Sequence, residues 1–556
     1  MGKKHSHQEA EAHQRKVGRN FVSEYDGYYP DQDVPDVIDI SSTEPEHFYK
    51  NYVSTRKPVI INGVIDGIDL DSFHPDKIVS NLHNDDQILL VEKKFQGGFG
   101  SGTERIKMTF ADFMTKLKEE GENYYLTTQY TEDDPDEIGE VLQKLQENLA
   151  NNESESDDDE AGDWLNPGTV PSAHQPQPVG GEIDDDDDDG SRTPLGPPPN
   201  ATNDLVSDTD SIDFNDIHDD FDDLENSFDQ DQLSEIVSED VPGGPLTAAE
   251  ADRRVHEFVQ KPLTSLVPKD ALPLQPSILK KLTPQQINIW IGKSKPQEGD
   301  GFQIDEEQSD YGLGRRVFGG GTSSGLHHDH ADNLYIPISG SKRFTIFAPS
   351  DADKMYTVGN ISKVFASGVI DYKNDANAPG WRELRGDSAI ITEVAKWRLD
   401  SDESLTAAER DELQQLIEIE EEALEDFDAK VITSDGVKKD PPSFSCIPAS
   451  ILHLDKIKED KLKEKLLKFA HEKWPKFFAA KRMTVFLKPG QMLFLPAGWF
   501  HEVTSFGASD KDSTDNIHIA LNYWYSPPDN RQKVYSDQYW EQDFKRTLES
   551  CKHFSA

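Results

Sequence analysis

The chain has 556 residues, with Lys+Arg 57 against Asp+Glu 106, a formal net charge of −49 and 35% hydrophobic residues, an average too acidic for one uniform globule. Between Asn151 and Asp240 stand 29 acidic residues and one basic residue, Arg192, so this stretch carries −28 and the other 466 residues share −21, which leaves them enough apolar sequence for a normal core. No long apolar run and no apolar leader in MGKKHSHQEAEAHQRK predict a membrane span or a secretory signal, and two cysteines, Cys446 and Cys551, exclude a disulfide framework and a thiolate zinc cage. The expectation is a soluble protein of the cytoplasm and/or nucleus, not secreted. Nucleic acid is not expected as the main ligand, because a phosphate backbone needs a Lys/Arg surface; a basic protein target suits the charge better.

In chain order, residues 1–34 read as a flexible tail, and 35–145 as the first folded part. Within it Val37–Ile40 and Pro58–Ile61 are predicted as strands around a capped helix from Thr43 to Val53. Gln87–Val91 and Tyr124–Tyr130 are further strands, and Pro135–Leu149 is an acidic helix-like piece. Residues 146–245, with the Asp184–Asp189 run and a proline cluster, cannot bury enough apolar surface to offset ordering entropy and are predicted to be a disordered insertion within a domain. Residues 246–526 form the core. Gln286–Ile291, Asn333–Ile338, Arg343–Phe347, the run from Met483 to Val503 and His518–Tyr525 are its strands, and Ser339-Gly340-Ser341-Lys342 reads as a hairpin turn. A helical excursion fills 351–480, with an acidic helix over Leu405–Phe427 and a Lys-rich helix over Lys456–Phe478. Residues 527–556 carry a terminal helix, Tyr535–Cys551. The fold expected is mainly β with flanking helices (α+β), a jelly-roll barrel.

The chemistry concentrates in His327-His328-Asp329 and His501. On a strand, residues i and i+2 face one way, so His327 and Asp329 point together into the barrel. A second imidazole from His501, behind Pro496-Ala497-Gly498-Trp499-Phe500, completes a two-histidine, one-carboxylate set, the arrangement that suits non-haem Fe(II). His330-Ala331-Asp332 is a competing tripeptide. Lys342, Asn522 and Tyr125 supply a cation and hydrogen-bonding groups of the kind a dicarboxylate cosubstrate needs, because a buried anion without a partner is costly.

GLHHDHADNLYIPISGSKRFTIFAP, GQMLFLPAGWFHEV and IHIALNYWY resemble the core of the JmjC oxygenases, in their small cupin-like branch of protein hydroxylases. The INIWIG strand and the opening VPDVIDI, FYKNYV and KPVIING are most similar to the JmjC lysyl hydroxylases that act on translation-factor-type GTPases. The resemblance covers roughly residues 35–130, 280–350 and 480–526. It implies a double-stranded β-helix (cupin) barrel in which His327, Asp329 and His501 ligate Fe(II) and serve as the catalytic centre, His330/Asp332 being out of register. It implies further that Lys342 and Tyr125 meet the distal carboxylate of 2-oxoglutarate, that Ser324, with Thr322 nearby, takes the place of a frequent Thr, and that Asn333, Asn522 and Asn288 line the cosubstrate pocket. O2 is the co-reactant, and oxidative decarboxylation of 2-oxoglutarate yields the oxidant that takes a hydrogen atom from a C–H bond.

The function expected is therefore an Fe(II)- and 2-oxoglutarate-dependent dioxygenase that hydroxylates a protein side chain. The alternatives are a JmjC-type lysine demethylase, or a catalytically silent metal-binding barrel acting as a protein-interaction scaffold. The Asp184–Asp189 run is expected to be a solvated tether, with concentration of a Lys/Arg-rich target as the alternative, and the terminal helix is a candidate surface for homodimerisation.

Overall fold

Alternating sequence becomes two facing sheets in the computed structural model, which describes residues 21–82, 87–93, 98–99, 105–119, 124–129, 246–294, 304–431, 440–508, 516–530 and 533–555. These residues fall in one unit drawn from 1–132 and 214–556. The expected acidic insertion and the helix expected over Pro135–Leu149 lie outside the described residues.

The early strands are β1 (Val22–Ser23), β2 (Asp36–Asp39), β3 (Val59–Asn62), β4 (Ile88–Lys93), β5 (Arg105–Thr109) and β6 (Tyr124–Leu126). Next come β7 (Pro284–Lys293), β8 (Thr322–His327), β9 (Asp332–Ser339), β10 (Ser341–Phe347), β11 (Ile361–Val364) and β12 (Ile370–Tyr372). The last are β13 (Arg482–Leu487), β14 (Gln491–Leu495), β15 (Phe500–Phe506) and β16 (Ile517–Tyr525). A nine-stranded sheet runs β2-β3-β14-β9-β16-β7-β6-β4-β5, and a four-stranded sheet runs β13-β10-β15-β8. The jelly-roll expectation holds in this arrangement of antiparallel strands with helices outside.

The central strands show why the sequence folds this way. In β16 the residues Ile517, Ile519, Leu521, Tyr523 and Tyr525 join the core under the helices, while Ala520 joins the core between the sheets. His518, Asn522 and Trp524 share the parity of Ala520 and so face inward with it. Strand β7 repeats the pattern, with Ile287, Ile289 and Ile291 outward. The inter-sheet core combines Tyr335, Leu493, Leu495 and Ala520 from the large sheet with Phe344, Ile346, Val485 and Val503 from the small one. Helices Phe110–Lys118, Ala248–Phe258 and Tyr539–Phe554 cover the other face of the large sheet.

Four expectations need correction. Ser339–Lys342 is not a hairpin: β9 pairs with β14 and β16, β10 pairs with β13 and β15, and the two never pair with each other. Gly340, at φ +73, carries the chain from one sheet to the other, and a Cβ there would lie 2.3 Å from the Phe506 carbonyl oxygen. The excursion is not purely helical, because β11 and β12 form a small sheet with β1 at its edge. Through that pairing the chain is built into the fold from the β1 segment onward, with Tyr25 buried, so the expected tail does not extend to residue 34. The helix expected over Thr43–Val53 is an α-turn, Pro45–Phe48, continued by a π-turn, Tyr49–Val53.

The terminal helix spans Tyr539–Phe554 and packs on the Ala248–Phe258 helix. Phe544 meets Phe258 edge-on at 5.7 Å, and Arg546 donates to both Glu250 carboxylate oxygens at 2.5 and 2.6 Å. This apolar side is consumed within the chain, so a dimer through the helix would use its remaining polar side. No described helix is long and apolar enough to cross a membrane.

Within the small sheet, Asp371 is buried and its Oδ1 accepts from Trp381 Nε1 at 2.9 Å and from the Leu384 amide at 3.3 Å. Burial nonetheless pushes this carboxyl up to about 6, so its proton binds the folded chain better than the unfolded one. The stability it confers is complete below an ordinary carboxylate pKa, is lost as pH rises through about 6, and is absent above. Asp371→Asn keeps the accepting oxygen and removes the ionisation, so the variant should be more stable than the parent at pH 8 by about 2 kcal/mol, the gain fading towards pH 4. Urea unfolding at several pH values checks it. Gly340→Ala, by contrast, should cost about 3 kcal/mol at any pH, through left-handed strain and the clash with Phe506, and thermal unfolding measures it.

Candidate metal centre and cosubstrate pocket

His327 closes β8, and its register partner on β15 is His501, so the ladder sets the two imidazoles side by side with ring centroids 4.3 Å apart. Asp329 lies just past the strand end rather than on it, yet it still turns to the same point. Its Oδ1 is 3.8 Å from His327 Nε2 and its Oδ2 is 3.6 Å from His501 Nε2, and one ligand atom from each of the three lies within 4.8 Å of the others. Both Nδ1 atoms face backbone carbonyls, His327 to Gly325 at 3.1 Å and His501 to Trp499 at 2.9 Å. A carbonyl can only accept, so each Nδ1 carries the proton and each Nε2 offers its lone pair inward. Burial holds the His327 pKa well below the usual imidazole range, with His501 beside it adding to the effect, so the ring stays neutral as a ligand must.

The competing tripeptide is engaged elsewhere. His330 Nε2 bonds the Ile370 carbonyl at 2.8 Å, and His328 Nε2 bonds the Tyr372 hydroxyl, tying the loop to β12. Asp332, fully buried, is paired bidentately with Arg56 and also accepts the Ala497 amide at 2.9 Å. On the outer side of β15, Glu502 accepts from Ser323 Oγ (2.6 Å) and Thr504 Oγ1 (2.7 Å) and meets His453 Nε2 (2.8 Å). That buried cluster holds β15 against β8 immediately behind His501.

A second polar group lies further along the barrel. Lys342 is 1% exposed, and its Nζ donates to Ser505 Oγ at 2.7 Å and to His518 Nδ1 at 3.2 Å. His518 Nε2 in turn meets Ser294 Oγ at 3.0 Å, and Ser294 Oγ is 2.7 Å from Thr322 Oγ1. Tyr125 packs flat on Phe99, with centroids 3.8 Å apart, and its hydroxyl bonds Ser505; burial raises its pKa far above the ordinary phenol range. Gly292 makes room for this set, since a Cβ there would come within 2.5 Å of the Tyr125 ring and 2.8 Å of His518. In the β10–β15 register Lys342 stands opposite Ser505 and Ile346 opposite His501, four residues or roughly 13 Å apart along the strands.

The structure thus brings Lys342 and Tyr125 together, and adds Ser505 and His518, which the sequence reading did not single out. His518 shares its strand face with Asn522, four residues on, and parity alone would have found it. Ser324 is spent on the fold: its hydroxyl donates to the Gly325 carbonyl at 2.8 Å and accepts the Val503 amide at 3.1 Å across the bulge between β8 and β15. Of the two neighbouring hydroxyls, Thr322 is the one that joins the inner cluster.

The asparagines lie between the two groups. Trp290 Nε1 donates to Asn522 Oδ1 at 2.9 Å, Asn522 Nδ2 to Asn333 Oδ1 at 3.4 Å, and Asn333 Nδ2 to Asp329 Oδ2 at 3.3 Å. Asn288, the register partner of Asn522, is fully buried on the same face, and its side-chain amide meets no hydrogen-bond partner among the described residues. An orphaned amide there costs free energy unless a ligand satisfies it. Two imidazoles and a carboxylate at one end, a buried ammonium with hydroxyls at the other and an unsatisfied amide between them fit a ferrous ion with a keto-dicarboxylate.

Comparison with known proteins accords with this geometry. The sequence profile of the family described as "Cupin-like domain" matches residues 186–531. The chain is also similar to the JmjC domain-containing protein 4 of Schizosaccharomyces pombe (strain 972 / ATCC 24843), with 27% identity over 559 residues, covering 92% of this chain and 88% of that protein.

Proposed function

The chain belongs to the cupin-like JmjC family, typically Fe(II)- and 2-oxoglutarate-dependent oxygenases, and on that premise we propose that it hydroxylates a protein side chain, converting 2-oxoglutarate and O2 to succinate and CO2. The observation that carries the reading is the convergence of two histidine Nε2 atoms and the Asp329 carboxylate on one point of the barrel interior, with a buried lysine further along the same strands. His327, Asp329 and His501 would hold Fe(II), which when bound supplies the oxidising chemistry with O2 and the keto acid. Lys342, Ser505 and Tyr125 would bind the distal carboxylate, and their burial makes that pairing strong. Asn288 and Asn522 would line the middle of the cosubstrate, while Asn333 keeps Asp329 oriented. His518 keeps the Lys342 ammonium aimed by accepting one of its protons.

Hydroxylation of a protein is favoured over chromatin demethylation by the cysteine count, since Cys446 and Cys551 cannot build the thiolate zinc modules that commonly read chromatin. The acidic stretch between Asn151 and Asp240 would draw a basic target by long-range attraction, which weakens with salt. The unpaired cysteines suit a reducing compartment, cytoplasm or nucleus.

The test is conversion of 2-oxoglutarate to succinate by the iron-loaded protein, together with mass spectrometry of proteins trapped on an inactive variant, seeking the gain of one oxygen atom on re-exposure to active enzyme. Turnover should vanish in Asp329→Ala; turnover equal to the parent's would overturn the reading, and metal binding without any turnover would favour the scaffold alternative. Lys342→Met should leave metal affinity intact and weaken 2-oxoglutarate binding about 100-fold, the expected loss of a buried charge pair. Calorimetric titration of the metal and of the cosubstrate separates the two effects.

A further inference from the structure

Two of the three ligands sit at loops rather than in the middle of strands. Asp329 follows the end of β8, and His501 is the second residue of β15, directly behind the bend Pro496–Trp499. The ladder between His327 and His501 aligns the imidazoles with each other, but it does not reach Asp329. Something else must set where that carboxylate stands relative to His501.

Two short contacts close a ring between the loops. The Gly498 amide donates to the Asp329 carbonyl at 2.8 Å, and the Ala497 amide donates to Asp332 Oδ1 at 2.9 Å. The second contact depends on how the Asp332 carboxylate is turned, and Arg56 turns it: Nη1 donates to Oδ2 at 2.8 Å and Nη2 to Oδ1, a fork that fixes the carboxylate plane. Arg56 is itself tied to the same bend, because its carbonyl accepts Trp499 Nε1 at 3.1 Å. It is held in the left-handed region at φ +57 by an amide bond to the Val53 carbonyl at 3.0 Å. Arg56 is 3% exposed and Asp332 fully buried, so the pair is screened from water and cannot be replaced by solvent. The bend has no slack on its far side either, since a Cβ on Gly498 would lie 1.8 Å from the Gly368 carbonyl oxygen.

We propose that Arg56, through its bidentate pairing with Asp332, is a positioning residue that sets the spacing between Asp329 and His501 and thereby the affinity and coordination geometry of the metal held by the triad. The inference rests on the metal-binding reading of His327, Asp329 and His501. A buried ion pair is a poor source of net stability and a good source of geometric definition. A lysine cannot substitute for it, because an ammonium is a point charge that leaves the carboxylate free to rotate.

The experiment uses the full chain and Co(II) as a spectroscopic stand-in for the ferrous ion, with thermal unfolding run in parallel. Parent, Arg56→Lys, Arg56→Met/Asp332→Asn and Asp329→Ala proteins are titrated with Co(II), reading affinity and the ligand-field absorption bands. The double variant removes the charge that a lone Arg56→Met change would leave buried and unpaired, so it keeps the test open if the single variant does not fold. Arg56→Lys and the double variant are expected to fold, to bind Co(II) about 10- to 100-fold more weakly than the parent, the range seen when groups that orient a ligand are removed, and to show displaced bands. Folded variants that bind Co(II) with the parent's affinity and bands would overturn the inference and leave Arg56 a purely structural residue. Co(II) binding by the parent that is unchanged in Asp329→Ala would instead overturn the metal reading itself, and the inference with it.

Discussion

The carbonyl oxygens of Gly325 and Trp499 decide what the two central imidazoles can do. Each accepts the Nδ1 proton of a histidine two residues away, His327 in one case and His501 in the other, and each thereby fixes both the tautomer and the ring plane. The same local motif on two strands far apart in sequence presents two lone pairs to one point. The antiparallel register of β8 and β15 does the rest by placing the histidines opposite each other. Were either ring to flip, Nε2 would face a carbonyl instead of Asp329 and the constellation would lose its donor set. The rest of the site is organised to protect this arrangement: Phe444 stacks on His327 with centroids 4.9 Å apart, and Glu502 with its three partners anchors the strand from behind.

Period-two alternation made the central strands readable, because both faces of β7 and β16 are buried and the parity of each polar residue assigns it to the inner face. Pairing was less readable. Gly340 fits a hairpin turn and a turn between sheets equally well, since both require a left-handed residue, and only the non-local choice of partners distinguishes them. Parity also fails where a strand bulges: the shift between β8 and β15 and the positive φ of Gly325 break the count by twos, which is why Ser324 and Thr322 could not be told apart from sequence. Arg56 was invisible for a different reason. It sits in a turn 276 positions from Asp332, in a stretch that otherwise reads as a simple strand entrance. The same holds for β11 and β12, which are too short to show a period.

The buried charges fall into two groups of different character. Arg56–Asp332 is a complete ion pair and Glu502–His453 a hydrogen-bonded carboxylate–imidazole pair, the partners in each lying in different segments, and they hold loops and strands in register. Burial alone pushes the Glu502 carboxyl up, but His453 and Arg343 outweigh it and hold it below its ordinary value, as expected of a carboxylate kept charged inside the protein. Lys342 differs in setting, its buried ammonium donating to the Ser505 hydroxyl and the His518 imidazole. An ammonium held dry inside the barrel is the group that the carboxylate of the proposed cosubstrate would meet.

A directed series of hydrogen bonds leads to Asp329, from Trp290 to Asn522, to Asn333, to the carboxylate. Every amide in it donates toward the carboxylate, so the dipoles align and each bond polarises the next. The direction is imposed at its start, because an indole N–H can only donate. Asn522 must therefore present its oxygen to Trp290 and its nitrogen to Asn333, which in turn must give its nitrogen to Asp329. Asn288 stands opposite Asn522 in the register but outside this series, both its amide functions without a hydrogen-bond partner among the described residues. The sheet thus supplies one asparagine row committed to orienting Asp329 and, at the same level of the barrel, one amide outside that row. That division lets the Asp329 carboxylate keep its position while the Asn288 amide retains its hydrogen-bonding capacity.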